Sequence, residues 1–467
     1  MTHLRLAERG AFGCRTLAFV NRCRSQGVGI GESMGDFLID EKAATVAAAA
    51  GFTPEAGDYG SVPLHASSPR IAIYAGDAVG YPYWGYYAHA LLSIGLHFHA
   101  LTGAEIIAGK LSDYDLLIMP GGFATWGLDR AEGVIGIDAA IDAYIRMGGA
   151  YIGSCGGAFY VSEGRPGWLE AIDATPKYTQ EYLLTGAGVL GFSLNEQVIG
   201  NGLPEIVELL YYHGPVYADE PRLAETLGHF RNFISESRLF IENPLSATFF
   251  DKQMKETPAI FTARLGEGKV LAFSPHPEMG EFVRKGIALD SYIPRFAPIR
   301  GFKVMDQTLR FYMKENCAGF RLIHNAIASL GLFEKQKRAE PATEKYSLDA
   351  FSETLTSLDK KIAHMSGQLD HLAAQEADLV RDIAKAEIER VQDEGRRVMC
   401  ALRQACENKQ IDMQLIPGLS AVLQEAERTS LDNLRLAELL VMTELPIRIM
   451  AAALRIIECD RFLETAQ

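Results

Sequence analysis

Between Arg70 and Ser154 the chain repeats one short unit: an apolar run of strand length, a glycine-bearing turn, and a stretch with helical spacing. The runs are "RIAIYAG", "LHFHAL", "YDLLIMPGG" and "GGAYIGS", with helix-like segments around Tyr86 to Ile94 and Val134 to Met147. A strand that is apolar along its whole length has both faces buried, so helices must cover the sheet on each side. Alternating strands and helices form βαβ units, whose strands pair in parallel. The repeat therefore predicts an α/β fold with a mostly parallel sheet. In such sheets the carboxyl ends of the strands share one edge, and reactive groups collect there. The predicted ends carry Gly76-Asp77, Gly121-Gly122 and Ser154-Cys155-Gly156. A later run, "GKVLAFSPHPEMGEF", has the same layout: Val270 to Phe273 reads as strand, and His276 and Glu278 follow just past its end.

The 467 residues, 48% hydrophobic and 22% charged, are enough for more than one core. Residues 1–68 read as an N-terminal extension with an Ala-rich run and no assignable chemistry. Residues 69–333 form the α/β domain. Residues 334–345, "EKQKRAEPATEK", are charged and hold a proline, as a linker does. Residues 346–467 have helical spacing throughout. Phe351, Leu355, Leu358, Ile362, Met365, Leu369 and Leu372 step by four and three in turn, the seam of a coiled coil or helical hairpin. Glu376 interrupts that seam, and Pro446 favours a small bundle over one long rod. A bare seam would invite aggregation, so the tail's own later helices, a second copy of the chain or a partner must cover it. The expectation is an assembly or packing module that adds nothing to the chemistry at Cys155.

A formal net charge of -14 argues against a nucleic-acid binder, because phosphate attraction needs a basic surface. No apolar run approaches the roughly 18 residues of a membrane span. Arg5, Arg9, Arg15, Arg22 and Arg24 crowd the first segment against the single acid Glu8, but "TLAFV" is too short for a secretory core. A cytoplasmic protein is expected. The seven cysteines are scattered, without CxxC spacing, which argues against a disulfide framework or a zinc site. No metal or cofactor is expected, and the other cysteines read mostly as small buried hydrophobes.

Cys155 stands apart, because "GGAYIGSCGGAFYV" places it between a strand-like and a helix-like run. A side chain on such a corner is exposed at the top of the sheet, as in a nucleophile elbow. The amino terminus of the new helix favours negative charge there, and so a thiolate. His276 and Glu278 are two apart, so in an extended segment they point the same way, and Glu278 can hold the His276 ring toward the thiol. Gly122 and Gly156 offer bare backbone N–H groups for an oxyanion. Taken singly, a Gly-rich turn, a loop histidine or a core cysteine would each need no functional explanation.

Together, "MPGG", "GSCGGAF" and "SPHPE", in that order, resemble the class I glutamine amidotransferase-like superfamily. "RIAIYAGDAVG", "IRMGGAYIGSCGGAFYV" and "LLYYHGPVY" look most like the amidotransferase-like domain at the amino terminus of eukaryotic biotin-protein ligases. The resemblance covers about Pro69 to Phe333. It implies a flavodoxin-like domain with Cys155 as nucleophile, His276 as base and Glu278 as its orienting acid. It also implies Tyr212, His213 and Gly214 near the pocket, together with Gly76, Asp77 and Phe159. Phe159 departs from the family, whose glutaminases usually carry Gln at that position, four residues after the nucleophile. With Tyr81, Tyr83, Trp84 and Trp126 near strand ends, it points to a more apolar or aromatic substrate, although each ring alone reads more simply as packing.

The function expected is a cysteine-dependent amidase, hydrolase or amidotransferase-like enzyme working through a thioester on a small-molecule or peptide amide. No synthetase domain is present, so any acceptor of ammonia would be a separate protein. The alternative is a catalytically degenerate amidotransferase-like module whose helical tail recruits a partner. A chaperone- or deglycase-like role leaves "HPE" unexplained.

Overall fold

The structure, a computed structural model, describes residues 4–7, 13–33, 35–57, 62–177, 185–241, 243–312, 317–335 and 347–465. The amino-terminal segment contains β1 (Leu4–Ala7), α1 (Cys14–Ser25), β2 (Ile30–Ser33), β3 (Asp36–Ile39), α2 (Glu41–Ala49) and β4 (Thr53–Ala56). Its strands pair antiparallel in the order β2-β3-β1-β4. Strands of four residues are too short to print a period on the sequence, which is why this segment carried no pattern. Two of its arginines are structural. Arg22 is buried with Nε 2.7 Å from Asp460, and Arg24 lies 3.8 Å from Glu32 with its guanidinium over the Phe333 ring.

The central segment runs β5 (Ile71–Tyr74), α3 (Tyr83–Ser93), β6 (His99–Leu101), α4 (Gly103–Ile107), β7 (Leu116–Met119), α5 (Leu128–Glu132), α6 (Ile137–Arg146), β8 (Ala150–Ser154) and α7 (Gly156–Tyr160). It continues through β9 (Pro176–Lys177), β10 (Ala187–Leu194), β11 (Ile206–Tyr212), β12 (Val216–Tyr217), β13 (Glu225–Glu236), α8 (Ala247–Gln253), β14 (Pro258–Leu265) and β15 (Gly268–Phe273). Then come α9 (Glu281–Ile287), α10 (Ile293–Phe311) and α11 (Ala318–Ser329). Among the described residues nine strands form one sheet, in the order β11-β10-β13-β14-β15-β8-β7-β5-β6. The five from β15 to β6 are parallel. Numbered along the chain, these five lie in the order 2-1-3-4-5, which is the flavodoxin-like arrangement. Every residue of β5, β7 and β8 is buried, as their unbroken apolar runs require.

The other strands extend this sheet antiparallel. Their sequences gave little warning, because register shifts along β13 interrupt the alternation that marks a half-buried strand.

The tail is a bundle of α12 (Leu348–Ala373), α13 (Asp378–Glu407), α14 (Ile416–Arg428) and α15 (Leu436–Thr465). Residues 336–346, which hold most of the predicted linker, lie outside the described residues. The seam from Phe351 to Leu369 is buried against α13, α14 and α15, so the cover comes from the tail itself. α15 runs straight through Pro446, a residue that deletes one backbone hydrogen bond. Its neighbours Leu445 and Ile447 are buried, and that packing holds the helix together across the gap. α15 also lies along α3 and α1, and one hydrophobic core joins the tail to the other segments. Among the described residues no helix is long and apolar enough to cross a membrane.

Candidate active site

β8 sits between β7 and β15, and the register aligns Met119 with Gly153 and Phe273 with Ser154. Three chain segments therefore leave the same edge side by side: Gly121-Gly122 after β7, Cys155 after β8 and Ser274 to Glu278 after β15. Parallel pairing, not proximity in sequence, brings the motifs together.

Cys155 has φ 50° and ψ −107°, a conformation that L residues rarely adopt. The neighbours over-determine it. Its N–H donates to the Phe273 carbonyl at 2.9 Å, and the short helix α7 begins at the next residue. The Sγ donates to the Tyr212 carbonyl at 3.1 Å. Gly156 must lack a side chain, because a Cβ there would strike the Gly122 carbonyl oxygen and sit 3.0 Å from the Gly122 nitrogen. Gly122 itself has φ 121° and ψ −153°. Gly122 and Gly156 line one cavity with Cys155.

His276 and Glu278 are both 1% exposed, and His276 Nδ1 donates to Glu278 Oε1 at 2.7 Å. Ser154 Oγ donates to the same oxygen at 2.9 Å. A carboxylate can only accept, so the proton sits on Nδ1 and leaves Nε2 for the thiol. A Cβ placed on Gly121 would lie 2.9 Å from His276 Cε1 and 3.7 Å from Cys155 Sγ, so ring and sulfur face the same small space. The residues after β15 form a turn, so an extended run is not what aims the two side chains. Burial works against charge on His276, but the negative charges of Glu278 and a Cys155 thiolate outweigh it and raise the imidazole to about 10.

The remaining thiols differ. Burial, the leading cause, pushes Cys23 up to about 12 and Cys406 and Cys459 up to about 11, and it raises Cys317 well above the usual thiol range. Cys14 is buried too, so most of these cysteines are buried fillers as expected, while Cys459 is half-buried and Cys400 is exposed.

A cavity of about 460 Å³ opens over Cys155. Cys155, Gly156, Gly122, His276, Phe159, Tyr212 and His213 all line it, as do Tyr81 and Tyr83. Gly214 does not; it lies against the Ser274 backbone, where a Cβ would collide with the carbonyl oxygen. Gly76 and Asp77 are also outside the lining. Gly76 is packed under the Glu132 carboxylate and the Tyr74 ring, and Asp77 is exposed beside them. Trp84 is buried in the core, and Trp126 is exposed and outside the lining, its ring against that of Phe123.

No protein-family model and no curated protein matches this chain. Among solved structures, a glutamine amidotransferase from Thermotoga maritima is similar over 57% of this chain and 98% of its own, at 13% identity and a TM-score of 0.34. A second glutamine amidotransferase structure is similar over 45% of this chain and 90% of its own, at 19% identity and a TM-score of 0.31. Values this low carry no conclusion, and the fold is read from the strand order itself.

Sequence reasoning missed the far wall of the cavity. Phe240 and Ile241 come from the loop after β13, and Thr429, Ser430, Leu431, Leu434 and Met442 come from the tail. The tail, which the sequence assigns no part in the chemistry at Cys155, forms a side of the same cavity. No local signal could have revealed this, because Leu431 and Cys155 come to one cavity through the packing of the tail on the α/β body, α15 along α3 included.

Proposed function

We propose that the chain is a cysteine-dependent amidase of the amidotransferase-like type. The observation that carries this reading is the strained Cys155 corner facing the buried, carboxylate-held His276. The Cys155 thiolate attacks the amide carbonyl carbon and forms a sulfur–carbon bond, while the Gly122 and Gly156 N–H groups receive the oxyanion. The C–N bond then breaks and His276 gives its proton to the departing nitrogen. In the second half His276 takes a proton from water, whose oxygen attacks the thioester and frees Cys155. Glu278 keeps the ring in the required tautomer and faces the imidazolium that forms. The likeness of the motifs to the amino-terminal domain of biotin-protein ligases supports the same assignment of roles. Phe159, where glutaminases of the family carry Gln, favours an amide other than glutamine.

Intact-mass and peptide analysis with a broad cysteine electrophile tests the reading. Cys155 is expected to be modified ahead of the other six cysteines. A pattern unchanged in Cys155→Ser would assign the reactivity elsewhere, Cys400 being the first suspect.

A further inference from the structure

We propose that the substrate is an uncharged amide with an aromatic or branched aliphatic acyl side, selected by a wall that the C-terminal helices build over the corner. The inference rests on Cys155 being the nucleophile. Among the described residues the lining of the cavity contains no Asp, Glu, Lys or Arg, and its cation, His276, is already paired with Glu278. Its tyrosines are neutral groups: burial raises the hydroxyls of Tyr81, Tyr86 and Tyr212 far above the working pH range. A free α-amino acid such as glutamine brings an ammonium and a carboxylate, and an apolar lining offers neither a counter-charge. The apolar area is supplied from separate parts of the chain by Phe159, Phe240, Ile241, Leu431, Leu434 and Met442. The Tyr81 hydroxyl has no hydrogen-bond partner among the described residues, so a neutral polar group is left for an uncharged ligand.

The wall is fastened in place. The Phe240 N–H donates to Glu438 Oε1 at 2.8 Å, and Arg435 donates to the Arg238 carbonyl at 2.6 Å while pairing with Asp290 at 2.6 Å. These bonds tie the loop after β13 to the start of α15. On the other side Lys361 Nζ donates to the carbonyls of Glu427 and Thr429 at the carboxyl end of α14, where a cation also meets the negative end of the helix. Both ends of the turn from Thr429 to Leu434 are therefore held, and the apolar side chains on it face the cavity as a built surface.

The test uses the full chain and a pair of chloromethyl ketones with one shared reactive group. One is benzyl chloromethyl ketone, which is neutral and aromatic; the other carries the α-ammonium and α-carboxylate of glutamine. In both, the Cys155 thiolate forms a sulfur–carbon bond and chloride leaves with the electrons of the C–Cl bond. Each labelling rate at Cys155 is divided by the same reagent's rate with glutathione. The neutral reagent is expected to be favoured by at least about tenfold, and Leu434→Lys or Leu431→Lys, with native circular dichroism, should cut that preference by about threefold or more. Labelling of Cys155 without preference, or with the charged reagent ahead, would overturn the substrate class and leave the nucleophile standing. A preference that neither lysine variant changes would overturn the role of the wall. Should neither reagent label Cys155 faster than glutathione, the inference and the nucleophile both fall.

Discussion

Two cavities of similar size lie where the tail meets the α/β body, and they are lined in opposite ways. The one over Cys155 is aromatic and, apart from the His276 imidazole held by Glu278, carries no Asp, Glu, Lys or Arg among its described lining residues. The other, about 500 Å³ between α3, α9, α11, α13 and α15, is dense in charge. There Lys285, 1% exposed, pairs with both Glu387 and Glu444, while Arg390 lies 2.7 Å from Glu387 and 2.8 Å from Asp306, and Arg448 lies 2.6 Å from Glu444. Each buried charge is spent on another, so the network joins α9 to α13 and α15. His89 beside it is held neutral by burial between the rings of Phe282 and Phe320. A cavity whose charges satisfy one another fixes the tail in place. A cavity with a strained thiol, a held imidazole and a lining otherwise free of charged side chains among the described residues suits the neutral guest proposed for it.

The contrast breaks most visibly at Lys285. Lys285→Met leaves the buried carboxylates of Glu387 and Glu444 with one cation each, Arg390 and Arg448, and should cost about 1.5–3 kcal/mol, read from urea unfolding. Cys155 labelling per folded molecule should hardly change. A loss under about 1 kcal/mol would mean that the network does not seal the junction.

His276→Ala acts on the other cavity. It should slow alkylation of Cys155 by about a hundredfold at neutral pH, because the thiolate loses its cationic partner. Unchanged labelling would remove His276 from the site.

A subtler effect lies in the pH dependence. The folded chain holds the His276 proton up to about 10, against an ordinary value of 6.5. The folded state therefore binds this proton more tightly than the unfolded chain between those values. The stabilisation it brings is complete below 6.5 and is lost as pH rises through about 10. In Glu278→Gln the His276 titration, followed by NMR, should move down toward 6.5, and the fall of stability across this window should become shallower. A titration unmoved by the substitution would show that Glu278 does not hold the ring.

The smallest change is expected from Lys361→Met. Only a partly exposed cation at a helix end is lost, so stability should shift by less than about 1 kcal/mol. The relative labelling of Cys155 by neutral and charged reagents should nevertheless change, because the turn at Thr429 loses its tether. An unchanged ratio would show that the turn is held without Lys361.

The parallel strands, the thiol corner and the "HPE" run could be read from the chain because each rests on local chemistry. Val270 to Phe273 announces a strand by its own residues, and Gly156 announces a close approach by lacking a side chain. Cys155, His276 and Glu278 could be matched as a set because strand ends in a parallel sheet share an edge. Gly76 and Asp77 sit at such an end as well, yet Glu132 occupies the space beside Gly76, and no spacing in the sequence records that contact.

What the sequence by itself determined was the parallel sheet, the reactive corner and an apolar helical tail, since period, turn chemistry and residue type act within a few positions along the chain. Only the tertiary structure decided that the tail closes on itself, that its buried charges bolt it to α9, and that Leu431 and Leu434 line the cavity over Cys155. Those outcomes depend on which side chains meet across hundreds of residues, and that choice is made by packing the whole core at once.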